Sequence, residues 1–353
     1  MLFSHTYQEE YAHHMTLELH TFDYLPPGFL DCSAKNLHHV IPGPSLIHLQ
    51  GKKQTPLFVS ILQHGNETVG LYAIQQLLKA YKESGLPRSI SIFVGNVEAA
   101  REGVRRLDWQ PDYNRLWLEE GQPIEYPEAR IMQKVIAIMQ EKKPFASIDL
   151  HSNTGLNPHY ACINKCDNRF YHLAILFSKT VVYFIRPAGV QSIAFAKLCP
   201  SVTLECGHLG DQAGITHAFE FIDACIQLAD IPATAIKPED MDLFHTVATV
   251  KVPKEFSFSF SDSVEDIYFN PDLEKYNFKE VAVNAPFAIT HPDKNARLEV
   301  LNEAGEDVFD EFFSWENNEI RIRKRIMPSM ITLDKRIIRQ DCLCYLMQRI
   351  AFS

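Results

Sequence analysis

The chain has 353 residues, 46% of them hydrophobic and 22% charged, with a formal net charge of −10 at pH 7. A chain of this make-up is globular and long enough for one sizeable core plus a second, smaller unit, and its acidic balance excludes a general nucleic-acid binder, which needs clustered Lys and Arg against phosphate. No apolar run approaches the roughly 20 residues of a membrane span, residues 1–5 lack the basic-then-apolar order of an export signal, and the expectation is a cytoplasmic protein with no membrane partner.

Residues 1–54, with Pro26-Pro27 and Pro42-Gly43-Pro44, read as extended segments and turns leading into the core. Residues 56–63 (PLFVSILQ) are apolar and β-branched or aromatic, which predicts a strand. Residues 69–84 carry Leu71, Ile74, Leu77, Leu78 and Tyr81 at helical spacing. His64-Gly65-Asn66-Glu67 therefore occupies a strand-to-helix loop, where open α/β sheets place their ligands, and Gly65 is read as the residue that lets the chain turn there. Three residues apart, His64 and Glu67 can converge on one ion.

After a strand at 89–94 come Arg105, Arg106 and the run Asp112-Tyr113-Asn114-Arg115. A guanidinium offers forked donors that match a carboxylate, and Asn adds a neutral donor beside it, so Asn114 and Arg115 read as a carboxylate clamp. An arginine near a metal also suits an oxyanion, and Arg106 is the first choice for that place, Arg105 the second.

A helix is predicted over 127–142, and the apolar run 145–150 ends at His151. Asp149 is read as closing this strand rather than orienting the imidazole. His64, Glu67 and His151 together make a three-ligand site for one zinc ion with a fourth position open. Strands follow at 160–163 and 181–185, and 201–204 (SVTL) delivers Glu205 to a strand end. A carboxylate there is the natural general base: it takes a proton from attacking water and returns it to a leaving amine. Cys206 beside it is read as a small buried side chain; none of the eight cysteines stands in a CxxC pair, which points to reduced thiols.

Residues 213–229 read as a closing helix and 236–240 as a linker. Beyond it, 246–252, 256–260, 281–289, 297–301 and 319–326 alternate in the strand manner, while 341–350 fits a strand or a short helix. The basic run 321–325, interleaved with isoleucine, reads as a half-exposed strand. The expected fold is α/β: a twisted, mostly parallel sheet with flanking helices in a domain over 1–235, then a smaller β-rich domain over 236–353.

HGNE at 64–67, the DxNR of 112–115, DLH at 149–151 and TLECG at 203–207 resemble, in order, the motifs of the succinylglutamate desuccinylase/aspartoacylase family, a branch of the zinc carboxypeptidase-like hydrolases. The resemblance covers roughly residues 55–215. It implies a mixed sheet, with an antiparallel pair plausible around Tyr160. It also implies His64, Glu67 and His151 as zinc ligands, Glu205 as base, and Asn114 with Arg115 on a substrate carboxylate. The stretch 108–111 lengthens the spacing before Asn114-Arg115, so Arg105 and Arg106 are not separated by sequence, and the SNTG after His151 copies neither named subfamily.

The expected activity is zinc-dependent hydrolysis of the amide bond in an N-acyl amino acid or a similarly small carboxylate-bearing amide. A carboxypeptidase-like enzyme for short or modified peptides is the alternative, and a non-catalytic small-ligand binding protein the third reading. Oligomeric state is left open.

Overall fold

The computed structural model describes residues 17–118, 121–261 and 265–352. The segment 1–5, read above for an export signal, lies outside the described residues. No described helix is long and apolar enough to cross a membrane.

The strands in chain order are β1 (His20–Phe22), β2 (Ser45–Leu49), β3 (Lys53–Ile61), β4 (Arg88–Val94), β5 (Ala146–Asn153), β6 (Tyr160–Ile163), β7 (Thr180–Tyr183), β8 (Ser201–His208) and β9 (Asp242–Lys251). The helices that matter to the site are α1 (Val69–Ala80), α2 (Val97–Glu102), α3 (Pro127–Lys142), α4 (Asn168–Ile175), α5 (Gln191–Phe195) and α6 (Gln212–Gln227). β3 is parallel to β4 and β5, and β5 is parallel to β8. β2 on β4 and β6 on β8 are antiparallel, so the sheet is mixed.

Period-2 alternation explains why helices cover both faces of this sheet. Leu57, Val59 and Ile61 of β3 and Ile90, Ile92 and Val94 of β4 face the core shared with α1, α4 and α6. Phe58 and Phe93, one residue out of phase, face the other way, against Met132 and Val135 of α3 and Phe195 of α5. Helix α3 starts with Pro127 in its first turn and ends at left-handed Lys143, the bounds that the pattern predicts.

The carboxy-terminal part is β-rich with a core of its own, as the alternation predicts. It comprises β10 (Phe258–Ser259), β11 (Ile267–Phe269), β12 (Pro286–Thr290), β13 (Glu299–Asn302), β14 (Phe313–Glu316), β15 (Glu319–Ile322), β16 (Met327–Ser329) and β17 (Cys344–Arg349), with a further helix α7 (Lys335–Gln340). Phe258, Phe269, Phe287 and Phe313 pack within it. β9 pairs with β7 and β17 with β9, so these late strands extend the central sheet, and the 341–350 segment resolves as a strand. In the basic run, Ile320 and Ile322 are buried, while Lys324 and Arg325 pair with Glu311 and Glu280. Its charge is spent on its own neighbours.

Candidate active site

Three parallel strands deliver the chemistry at their carboxyl ends. β3 ends at Ile61, and the turn that follows is made by Leu62, which is fully buried and left-handed at φ 53°. A branched side chain in that region costs about 1–2 kcal/mol and persists only where its surroundings hold it. Here the Leu62 carbonyl accepts from Asn96 N at 2.6 Å. Gly65 lies in the turn, as expected, inside the loop that Glu67 N closes onto the His64 carbonyl at 3.1 Å, but its φ is not left-handed, and what requires a glycine there is the backbone of α2 lying against it. A Cβ at Gly65 would stand 2.2 Å from Ala100 N and from the Ala99 carbonyl carbon. Gly65→Ala is therefore expected to destabilise the fold by about 2 kcal/mol or more and to weaken metal binding, read as a shift of the urea midpoint and of the metal titration.

His64, Glu67 and His151 are buried, and their ligand atoms lie within 4.8 Å of one another. His64 Nδ1 is 2.8 Å from Glu67 Oε1, and His151 Nδ1 is 2.7 Å from Glu67 Oε2. Each opposite ring nitrogen meets another carboxylate: His64 Nε2 is 3.0 Å from Asp112 Oδ1 and His151 Nε2 is 2.9 Å from Asp149 Oδ2. A carboxylate that accepts the Nε2 proton fixes the tautomer and leaves Nδ1 as a lone-pair donor. Two imidazole nitrogens and one carboxylate aimed at a common point are a donor set that zinc takes. The residues thus fit a divalent ion.

Asp149 orients His151, in contrast to the strand-closing role expected for it. Its side chain is fully buried and also accepts from Ser60 Oγ and from Gln63 Nε2 at 2.6 Å. Gln63 Oε1 in turn accepts from Trp117 Nε1 at 2.6 Å. Buried polar groups need such satisfaction, and here it locks a ligand ring.

The order of the two arginines is reversed. Arg105 Nη1 lies 3.6 Å from Glu67 Oε1, and Nη2 lies 2.9 Å from Asp112 Oδ2. Arg106 turns away: its Nη1 donates to the Gln110 carbonyl at 2.6 Å, inside the loop that lengthens this stretch, and it lines a separate surface depression. Arg105, not Arg106, stands at the candidate metal site.

Asp112 Oδ1 accepts from Asn114 N at 2.9 Å and starts a short turn (Tyr113–Arg115) that holds the two expected clamp residues. They diverge. Asn114 Nδ2 donates to Asp149 Oδ2 at 3.2 Å, and its Oδ1 accepts from Gln191 N at 2.9 Å, so this amide supports the His151 partner instead of offering a free donor. Arg115 reaches the cavity, with Nη1 on the Asn114 carbonyl and Nη2 2.9 Å from Asp341 Oδ1. Nothing in the sequence singled out Asp341.

Glu205 of β8 is in register with His151 of β5 and with Tyr160 of β6. Its Oε2 accepts from Asn153 Nδ2 at 3.0 Å. Burial pushes its carboxyl up to about 7, a shift that His151 and Arg105 only partly oppose. Burial also raises the Glu67 carboxyl, but the two imidazoles outweigh it and hold that group well below the usual carboxylate range. Two neighbouring carboxylates are thus driven apart, one to stay ionised and one to exchange a proton. Cys206, the next residue on β8, is fully buried, and burial drives its thiol far above the range of a nucleophile, in keeping with the packing role expected for it.

These groups line one cavity of about 700 Å³ of empty space, part of it open to solvent. His64, Glu67, Arg105, Arg115, His151 and Glu205 form its polar end; the rest of the wall includes Tyr160, Val182, Phe184, Val190, Met330 and Tyr345 together with Arg186, Thr203, Thr246 and Ser329. Met330, Asp341 and Tyr345 come from the carboxy-terminal part, which roofs the site.

Residues 56–212 match the family model of the succinylglutamate desuccinylase/aspartoacylase catalytic domain. No curated protein matches the chain at a significant level. Among solved structures, the chain resembles a succinylglutamate desuccinylase from Chromobacterium violaceum (TM-score 0.55, 15% identity, 86% of each chain covered). It also resembles murine aminoacylase 3 (TM-score 0.54, 15% identity, 85% of this chain and 96% of the other). A third is the product-bound ectoine utilization protein EutE from Ruegeria pomeroyi (TM-score 0.55, 15% identity, 87% of this chain and 88% of the other). At such identity these structures carry the fold alone.

Proposed function

We infer the function from the premise that residues 56–212 belong to the succinylglutamate desuccinylase/aspartoacylase catalytic-domain family, a family of hydrolases. The chain is then a zinc-dependent deacylase that cleaves the amide bond of an N-acyl amino acid or a similarly small amide. Its substrate is a small molecule. One observation carries this reading: a raised carboxylate, Glu205, shares a buried cavity with the convergent His64, Glu67 and His151.

Zinc held by His64, Glu67 and His151 supplies Lewis acidity toward the scissile carbonyl and toward water. The residues of the chain do the rest. Glu205 accepts a proton from the attacking water and delivers it to the amine nitrogen as the C–N bond breaks, so amide and water become acid and amine. The Arg105 guanidinium, held by Asp112, is positioned to hydrogen-bond the oxygen that gains charge. Asp112 and Asp149 keep the two imidazoles oriented without touching substrate.

The carboxy-terminal part favours this reading over a peptidase for long chains, because its Met330, Asp341 and Tyr345 line the same cavity as the metal ligands. The deciding experiment is hydrolysis of a panel of N-acyl amino acids, their amides and dipeptides by the purified protein, with and without chelator, beside metal analysis. Undiminished turnover after complete metal removal would end the metal-dependent reading. In the same assay Arg105→Ala is expected to lower kcat by about 10²–10³-fold, the scale seen when an oxyanion donor is removed. Arg106→Ala is expected to stay within about 3-fold of the unmodified chain, since its guanidinium donates to the loop carbonyls of Gln110 and Leu107 and not into the cavity. Equal losses in the two variants would overturn the assignment to Arg105.

A further inference from the structure

The arginine expected to grip a substrate carboxylate already grips one. Asp341 follows α7, and its carboxylate bridges the two guanidiniums of the site: Oδ1 accepts from Arg115 Nη2 at 2.9 Å and Oδ2 from Arg105 Nη2 at 3.2 Å. One oxygen on each guanidinium is a grip that a bound carboxylate would take. Asp112 balances Arg105 a second time at 2.9 Å. The two arginines thus meet Asp341 and Asp112, with Glu67 a further 3.6 Å from Arg105, and the Asp341 side chain is only 19% exposed.

This arrangement changes what the cavity can receive. A ligand carboxylate brought to Arg115 meets the Asp341 oxygen across the same guanidinium, in a place where little water screens the repulsion. Displacing Asp341 instead leaves a mostly buried carboxylate without its partners. A neutral carbonyl has neither problem, because it accepts from the spare Arg115 donors without adding charge. Elsewhere the wall mixes the apolar side chains of Val182, Phe184, Val190 and Met330 with Thr203, Thr246, Ser329 and Arg186, whose Nε donates to the Glu303 carbonyl, so the constraint from charge concerns only the place beside Arg115 and Arg105.

We propose that Asp341 is a specificity-determining residue that narrows the substrate to N-acylated compounds whose amine half carries no free carboxylate beside the scissile bond. The proposal rests on the hydrolase reading above and refines it: of an N-acyl amino acid and its carboxamide, the carboxamide is the better ligand. Asp341 acts through charge, by keeping Arg115 and Arg105 occupied, and takes no part in bond breaking.

The test compares binding of N-acetyl-L-leucine and N-acetyl-L-leucinamide to the zinc-loaded full chain by calorimetry, in a Glu205→Gln background so that turnover does not intrude. With Asp341 present, the carboxamide is expected to bind at least about 10-fold tighter than the acid. Asp341→Asn is expected to tighten the acid by about 10-fold or more while the carboxamide stays within about 3-fold. Asp341→Ser, which also removes the charge, replaces it should the Asn variant not fold. A preference for the acid with Asp341 in place, a ratio that neither variant moves, or binding of neither probe overturns the proposal. Hydrolysis is measured separately in the chain with Glu205 intact: absence of turnover on both compounds, with the binding ratio as expected, removes the hydrolase reading and leaves the selectivity of Asp341 standing.

Discussion

Glu205→Gln is expected to lower kcat for amide hydrolysis by about 10³-fold, within the range of a lost general base, while metal content stays unchanged. Glutamine keeps the volume of the side chain and its hydrogen bond from Asn153 Nδ2, so the loss isolates the proton-transfer role. The pH profile carries a second signature. A base must be ionised to accept a proton, so activity rises as pH climbs through the Glu205 pKa. In the metal-free chain burial sets that carboxyl at about 7. A divalent cation nearby favours the ionised form and moves the acid limb of the loaded enzyme below that value. The Gln variant should lose this limb from whatever activity remains. The check is a kcat profile from pH 5 to 9 beside metal analysis of the same samples; retention of more than a tenth of the turnover, with the limb intact, removes Glu205 as the base.

What was legible in the sequence is what local spacing controls. The ligand loop reads directly because His64 and Glu67 are close in the chain, and His151 and Glu205 because each ends an apolar strand. Parallel pairing of β5 with β8 then sets those two residues side by side, a consequence of strand-end placement that needs no further signal. Contacts made across long stretches of chain were not legible. Asp341 meets Arg115 from 226 positions away, and no motif surrounds it. The reversal of Arg105 and Arg106 has the same origin, since neighbouring arginines differ only in which way the loop turns and in the Gln110 carbonyl that captures one of them. The strain at Leu62 was hidden by composition: a leucine inside an apolar run looks like one more strand residue, and only the Asn96 contact to its carbonyl reveals the turn. Short elements such as β1 and α2, of three and six residues, fall below the length at which periodicity accumulates.

Glu67→Ala is expected to abolish stoichiometric metal binding at micromolar zinc and, with it, all measurable hydrolysis. Glu67 is the hinge of the ligand set: its two oxygens face His64 Nδ1 at 2.8 Å and His151 Nδ1 at 2.7 Å, so its removal takes away one of three ligands and the group that holds the other two together. The remaining imidazoles stay pinned by Asp112 and Asp149, which is why the fold should survive the change. Proton competition sharpens the contrast. Burial pulls the pKa of His151 down, but Asp149 and Glu67 outweigh it and raise it well above the ordinary value; His64 is raised in the same way, against burial and Arg105, by Glu67 and Asp112. The metal-free imidazoles therefore hold protons that an ion must displace, and metal affinity increases with pH until both are gone. Stabilisation by zinc follows the same sign, small at pH 6 and larger at pH 8, because ligand binding to the folded state adds RT ln(1 + [L]/Kd). A zinc titration followed by the melting temperature at both pH values checks this: the unmodified chain should gain more at the higher pH and Glu67→Ala should gain nothing at either. Equal gains in the two proteins would show that zinc binds elsewhere, and the catalytic reading of the cavity would fall with it.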